Sequence, residues 1–409
     1  MSQVQGYFKA VSTLFKGSAV AHIITLCCLP ILSRLYSQEQ FGELAVVISC
    51  SAVLSIILPL RLDLSIYNTQ KISEEVYAWV SALIVSSVNL TLSYVILYLF
   101  SADIARYLNI TVELLYFVPI LSYLLVLFNI NSNLAISQES FTAVKNAKII
   151  RGVVLNSCQM SLFLFPLGLV IGEVVGRTAG ISKLYLAFKH SVLKHYRDTN
   201  VKQQLLIHSR FIKFSILGGL ANSLSIQLPS IFFASQFGLK VAGLYLLTNR
   251  IAAIPIALVG QSMQQVFSSK FKKLTHPKEK LNLINRVIFI SLIVSSLLFL
   301  AVWVSAPYVI PFILGSQWGR VSEFLILLLP MLVAQLGIFP ITNVLNILNK
   351  QKFSMIWDLL RLGCLLLIMF CTVEFNLEDG VFLITYSSFM CVFYFILFLI
   401  VRKVVANEK

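Results

Sequence analysis

The stretch GLYLLTNRIAAIPIALVGQSMQQVFSSKFKKL, Gly243 to Leu274, opens as an apolar run and closes on Lys270, Lys272 and Lys273. Hydrocarbon is roughly 30 Å thick and a helix rises about 1.5 Å per residue, so about twenty apolar residues make one crossing of a bilayer. This run is long enough. The segment begins near Ala242, and Arg250 stands about 12 Å inside it at that rise, with no acid within one turn. A guanidinium at that depth costs about 3 kcal/mol or more, so it faces another helix, a hydrated cavity or an anionic substrate. Gln261, Gln264 and Gln265 share one helical face and continue a polar strip from Arg250 toward the lysines.

The pattern repeats along the chain, in about twelve apolar segments of crossing length. They centre near Ile24, Leu54, Val88, Leu124, Leu162, Val175, Leu220, Leu258, Ile293, Val333, Leu366 and Tyr394. A chain that is 58% hydrophobic, with mean hydropathy +0.86, is no soluble globular domain. The segments lack the short period-2 alternation of barrel strands, which leaves helices as the spans. The expected fold is an all-α integral membrane protein of about twelve transmembrane helices. The apolar run after Lys16 is too long for a signal peptide and lacks a small-residue cleavage site, so it reads as the first span, uncleaved.

The 32 Lys and Arg sort with the gaps between segments. The N-terminus, the even-numbered gaps and the C-terminus hold nearly all of them; Arg34, Arg106, Lys240 and Arg320 fall in odd gaps, and Arg177 and Arg250 inside segments. Short basic loops stay in the cytoplasm, so both termini and the even gaps are expected there. The net charge of +15 then reflects topology and attraction to anionic membrane lipids, with no nucleic-acid partner.

The gap from His190 to Arg210, HSVLKHYRDTNVKQQLLIHSR, reads as a solvated basic helix, its three histidines lacking ligand spacing with acids or thiols. It divides the chain into an N-terminal six-helix lobe, residues 1–189, and a C-terminal six-helix lobe, residues 211–409, joined by the linker 190–210. The halves echo each other: Lys16, Ser18, Pro30 and Phe41-Gly42 in one, Lys213, Ser215, Pro229 and Phe237-Gly238 in the other. Two halves that both start in the cytoplasm form a parallel repeat, related by a pseudo-two-fold along the membrane normal, with substrate between them. That favours a transporter over an enzyme.

Other polar residues fall within or beside the apolar segments. Glu173 and Arg177 stand one turn apart and read as a local ion pair; Glu173 is alternatively a proton acceptor for ion coupling, since burial raises a carboxyl pKa. Arg61 and Asp63 sit at the end of the second segment, where Arg61 either snorkels or lines a cavity. Arg34 has Glu39 as its nearest acid in sequence, and Asp358 with Arg361 reads as an interfacial pair. The seven cysteines all lie in apolar segments without metal spacing, and no cofactor is expected. Nucleotide-binding, serine-hydrolase and zinc-protease motifs are absent from the sequence.

Three stretches together resemble one family: FKGSAVAHIITLCCLPILSRLYSQEQFG (Phe15 to Gly42), LRLDLSIYNTQ (Leu60 to Gln70) and Gly243 to Leu274. A small-residue first helix, then P-x-L-x-R-L-Y-S with a short F-G turn, then R-x-D/E-x-x-I, looks like the oligosaccharide flippases that serve O-antigen and capsule synthesis. These belong to the multidrug/oligosaccharidyl-lipid/polysaccharide exporter superfamily. The resemblance implies a bacterial inner-membrane protein, with other surface-polysaccharide assembly proteins as partners. It also implies alternating access and a polyprenyl-pyrophosphate-linked oligosaccharide as cargo. Arg250, Arg34 and Arg61 fall within its motifs; Arg177 does not. With that cargo, Arg250 is expected to contact the pyrophosphate and Arg34 and Arg61 to line the route; the reading of the residues themselves adds Arg177 and Gln261 to the route and Glu173 or Asp63 as ion-coupling candidates. Two rivals stand: a cation-coupled drug exporter of the same superfamily, which would want an acidic cavity, and an O-antigen polymerase or ligase, which usually carries a large periplasmic loop.

Overall fold

The structure, a computed structural model, describes residues 2–68, 71–195, 201, 207, 209–348 and 350–407. Among the described residues there are no strands and twelve long helices. The first six are α1 Ser2–Leu35, α2 Gln38–Ile57, α3 Ile72–Leu108, α4 Phe117–Ser137, α5 Phe141–Ser161 and α6 Gly168–His195. The second six are α7 Ser209–Phe232, α8 Leu239–Phe271, α9 Pro277–Leu314, α10 Gly319–Ile338, α11 Gln351–Glu374 and α12 Asp379–Ala406. Most of the expected linker 190–210 lies outside the described residues.

Among the described residues ten helices are long and apolar enough to cross a membrane, and the two long helices that fall short are α5 and α6. The fifth segment was expected near Leu162, but residues 162–167 form a turn, and the helix is centred eleven residues earlier on Arg151. Hydropathy is misleading here because the apolar run Leu162 to Val170 belongs to the turn and the start of α6. Leu164 is 79% exposed and Phe165 58%, as side chains facing lipid would be. Lys145, Lys148 and Arg151, assigned by sequence to a cytoplasmic gap, are helical residues of α5.

Although charged, α5 runs in parallel register with α1, a helix of crossing length. A Cβ on Gly17 would meet Lys145 at 2.8 Å, Lys148 Nζ donates to Ser18 Oγ at 2.8 Å, and Gly152 packs on Ala21. At the far end the Tyr36 hydroxyl donates to the Gln159 carbonyl at 2.6 Å. The return helix α6 carries Gly168, Gly172, Gly176 and Gly180, one per turn. Small residues let membrane helices approach backbone to backbone. A Cβ on Gly176 would stand 2.5 Å from the Leu155 Cβ and 2.8 Å from its Cα, and Gly172 and Gly180 likewise face α5.

The chain separates into two compact units, Met1–Gly243 and Leu244–Lys409, so the boundary falls inside α8. In the first, α7 packs along α2, and Ser223 Oγ donates to the Ala52 carbonyl at 3.5 Å. In the second, α9 turns Ile284, Ile288, Ser291, Ser295 and Phe299 inward and Phe289, Leu297, Val304, Tyr308 and Phe312 outward. Large apolar side chains on the outer face suit lipid as the solvent.

Contacts between gaps join odd to odd and even to even. Glu39 pairs with Lys240 at 3.5 Å, and Asn109 Nδ2 donates to the carbonyls of Ala234 and Ser235 at 2.9 and 3.3 Å. Arg320 forks onto Asp379 at 2.8 and 3.1 Å. At the even gaps Arg61 Nε donates to Ser215 Oγ at 3.3 Å, and Asn133 Nδ2 donates to the Asp63 carbonyl at 2.8 Å. Helices that reverse direction at every gap give this parity.

Candidate functional site

The site builds from α1, α5 and α6. Glycines on α6 bring its backbone against α5, and the residue after each of two of them is charged: Glu173 follows Gly172 and Arg177 follows Gly176. These two form the expected i, i+4 ion pair, Arg177 Nη2 to Glu173 Oε2 at 2.9 Å, with both side chains about 5% exposed. Close packing adds a second arginine. A Cβ on Gly180 would stand 3.2 Å from the Arg151 Cβ, and Arg151 lies within electrostatic reach of both Arg177 and Glu173. Its guanidinium also rests over the Phe128 ring of α4, 5.5 Å from the centroid.

One turn toward the helix start, Lys148 bonds Ser18 of α1, and His22 of α1 faces the charges of Arg151 and Lys148. Arg151 stands six residues, about 9 Å, along α5 from Lys145. The cluster of Lys148, Arg151 and Arg177 against Glu173 therefore carries surplus positive charge among apolar helices. Two guanidiniums there give forked donors of the geometry that matches phosphate oxygens.

The other expected residues are placed separately. Arg34 ends α1, exposed, and Glu39, its nearest acid in sequence, pairs with Lys240 instead. Arg61 has φ +62°, and its guanidinium lies over Gly219, where a Cβ would stand 3.1 Å from Nε. It ties the end of α2 to the start of α7. Asp63 is 7% exposed, and burial pushes its carboxyl above the ordinary 3.8, with Arg61 pulling the other way. Beside it, burial and the Asp63 charge push the Tyr67 hydroxyl up to about 12.

Arg250 is half-buried on α8 in the second unit. The polar strip expected from Arg250 to Gln261 is interrupted by a π turn, Ile256–Gly260, just after Pro255. A π turn holds about one extra residue, roughly 100° of phase, so the strip turns away between them. Gln264 donates to Thr342 Oγ1 at 2.7 Å and to the Phe339 carbonyl at 3.3 Å, joining two parts of the unit as membrane amides do.

Asp358 and Arg361, read from sequence as an interfacial pair, are enclosed by protein, with side chains 13% and 5% exposed. They bond at 3.1 Å, and Arg361 stacks over Trp357 at 4.5 Å. Aromatic neighbours on α11 and α12 close around a pair that sequence alone leaves at the headgroups. Among the described residues no three His, Cys, Asp or Glu side chains converge as a metal site would need.

Sequence reasoning missed Lys148 and Arg151, because their helix was drawn too late in the chain. The signal that finds them is the glycine at every fourth residue from 168 to 180. It marks a face that needs a close partner helix, and the charged residues just before Gly152 belong to that partner.

A family model of polysaccharide biosynthesis proteins matches residues 31–323. The chain belongs to that family. The succinoglycan biosynthesis transport protein ExoT of Rhizobium meliloti (strain 1021) is 25% identical to this polysaccharide biosynthesis protein over 303 residues. The match covers 71% of this chain and 59% of that relative, so the chain spans less than two thirds of it. A mutant of the Vibrio cholerae MATE transporter VcmN superposes with TM-score 0.64 at 16% identity, covering 100% of this chain and 98% of that one. A multidrug resistance MATE family transporter of the MOP superfamily, in an inward-facing conformation, gives 0.59 at 13% identity over 96% and 94%. Such identities carry the fold alone. The family member is a multi-pass, all-helical membrane protein with a transporter fold.

Proposed function

We propose that this protein flips a polyprenyl-pyrophosphate-linked oligosaccharide from the cytoplasmic to the periplasmic leaflet of the bacterial inner membrane by alternating access. It does so without being an enzyme, with all twelve helices crossing and both termini cytoplasmic. The observation that carries this reading is the surplus of Lys148, Arg151 and Arg177 over Glu173 inside a helix cluster of a polysaccharide biosynthesis protein. Sugar hydroxyls and pyrophosphate pass through dry hydrocarbon only at prohibitive cost, so a wet cationic path is what such cargo needs. Arg151 and Arg177 take phosphate oxygens in the first unit and Arg250 does so in the second. Arg34, Arg61 and Gln261 line the route, Glu173 or Asp63 couples an ion, and other surface-polysaccharide assembly proteins are its partners.

The cluster's charge disfavours a drug exporter, whose cationic cargo needs acids. In cells, Arg250→Ala should stop surface polysaccharide at unchanged protein level and leave single lipid-linked repeat units on the inner leaflet. Normal polysaccharide in that strain sinks the role of Arg250. Units stranded on the outer leaflet of a deletion strain would indicate a polymerase, and restored drug resistance an exporter.

A further inference from the structure

The second unit holds a cavity of about 350 Å³, remote in sequence from the cationic helices. Its walls are Phe271, Lys272 and Leu274 at the end of α8, Lys280 in the first turn of α9, and Ile347 and Leu348 just ahead of α11. Two even-numbered gaps therefore build one chamber. It lies at the even-gap end of α8 and α9, among the lysines that suit anionic headgroups.

Its chemistry is split. Lys280 is 7% exposed and its ammonium stands 5.5 Å from the centroid of the Phe271 ring, so the charge is held at the wall of the cavity. Lys272 supplies a second, exposed ammonium. Lys270, Lys273, Lys278, Lys350 and Lys352 surround the two gaps in sequence, with Glu279 the one acid from Gln261 to Phe289. The remaining walls are apolar. Two ammoniums beside four apolar side chains suit an occupant that is anionic at one end and apolar at the other. The volume falls at the small end of ligand sites, roughly 300 to 1,000 Å³, enough for a headgroup and its first methylenes.

We propose that this cavity binds the phosphate of an anionic phospholipid headgroup. Lys272 and Lys280 take the phosphate oxygens, and Leu274, Ile347 and Leu348 receive the first carbons of the tail. A lipid seated there bridges the end of α8, the start of α9 and the approach to α11. The site does not depend on which cargo the protein moves, and its test reads binding alone.

The test is native mass spectrometry of the purified full chain in detergent, titrated with phosphatidylglycerol, with phosphatidylcholine and inorganic phosphate as separate arms. The expected result is one saturable phosphatidylglycerol adduct, weaker phosphatidylcholine binding, and no displacement by millimolar phosphate. The double variant Lys272→Gln/Lys280→Gln should weaken that adduct roughly tenfold or more. Leu348→Trp, which fills the cavity and keeps both lysines, should weaken it too. Lys273→Gln/Lys278→Gln, the same charge change outside the walls, should stay within about twofold of wild type. An unchanged melting midpoint identifies the folded variants. Displacement by inorganic phosphate overturns the lipid assignment, as does equal weakening by both double variants or unaltered binding in the first.

Discussion

Two buried arginine–carboxylate pairs, each within a single helix, sit in opposite surroundings. Glu173–Arg177 lies on a glycine-lined helix pair with Arg151 and Lys148 beside it, so positive charge is in surplus. Asp358–Arg361 lies against Trp357, with Tyr386 and Tyr394 within electrostatic reach, and is balanced one to one. The lesson is that an ion pair in a membrane helix is not a function by itself. A balanced pair wrapped in aromatic rings is complete, whereas an unbalanced one on a thin glycine seam carries the net charge that the proposed cargo would use.

That contrast can be broken first through stability. Asp358→Asn leaves Arg361 enclosed without its counter-charge and should cost about 3–5 kcal/mol, read as a fall in melting temperature of the detergent-solubilised protein. The paired replacement Asp358→Leu/Arg361→Met should recover most of it, and if it does not, the pair is more than structural. Next comes the seam. Gly176→Val drives two methyl groups toward Leu155 and should cost about 1–3 kcal/mol by forcing α6 off α5.

Arg151→Gln should behave in the reverse manner. It relieves repulsion with Arg177, so stability should hold or rise by about 1 kcal/mol, read as an unchanged or higher melting temperature, while surface polysaccharide in the cell is lost. Intact polysaccharide in that strain would remove Arg151 from the site. The smallest effect belongs to Asp63, an acid with neither arrangement. Its carboxyl is raised in the folded protein, so the folded state binds its proton more tightly than the unfolded one. Stability at this group is then greatest below the ordinary 3.8 and declines as pH rises from there through the raised folded value. Asp63→Asn should flatten that decline in melting temperature against pH.

Ten of the twelve expected spans were legible because lipid demands one thing of a helix, an unbroken apolar length, and hydropathy reads it directly. The helix α6 was also placed, by the segment near Val175, but α5 escaped that reading because α1 and α6 pack along it and its sequence is charged. Protein, not lipid, is what its charges face. Arg177 with Glu173 was legible, since one turn of helix fixes their contact. Arg151 was not, because its proximity depends on how closely two separate helices approach, and that distance is set by Gly176 and Gly180. In the same way Asp358 and Arg361 showed their spacing in sequence and hid the aromatic side chains of a different helix that enclose them. The alternation of basic gaps gave the parity of the loops, and contacts such as Arg61 with Ser215 agree with it.

The turn between α1 and α2 meets the start of α8 with nothing between the two backbones. A Cβ on Gly42 would fall on the Leu239 carbonyl, and one on Gly243 on that of Gln38. Two glycines thus form a seam of bare peptide closed by shape, with the Glu39–Lys240 ion pair joining the same two segments beside it. That pair is exposed, so salt weakens it while the peptide contact stays. Any side chain larger than hydrogen at Gly42 or Gly243 forces the two backbones apart.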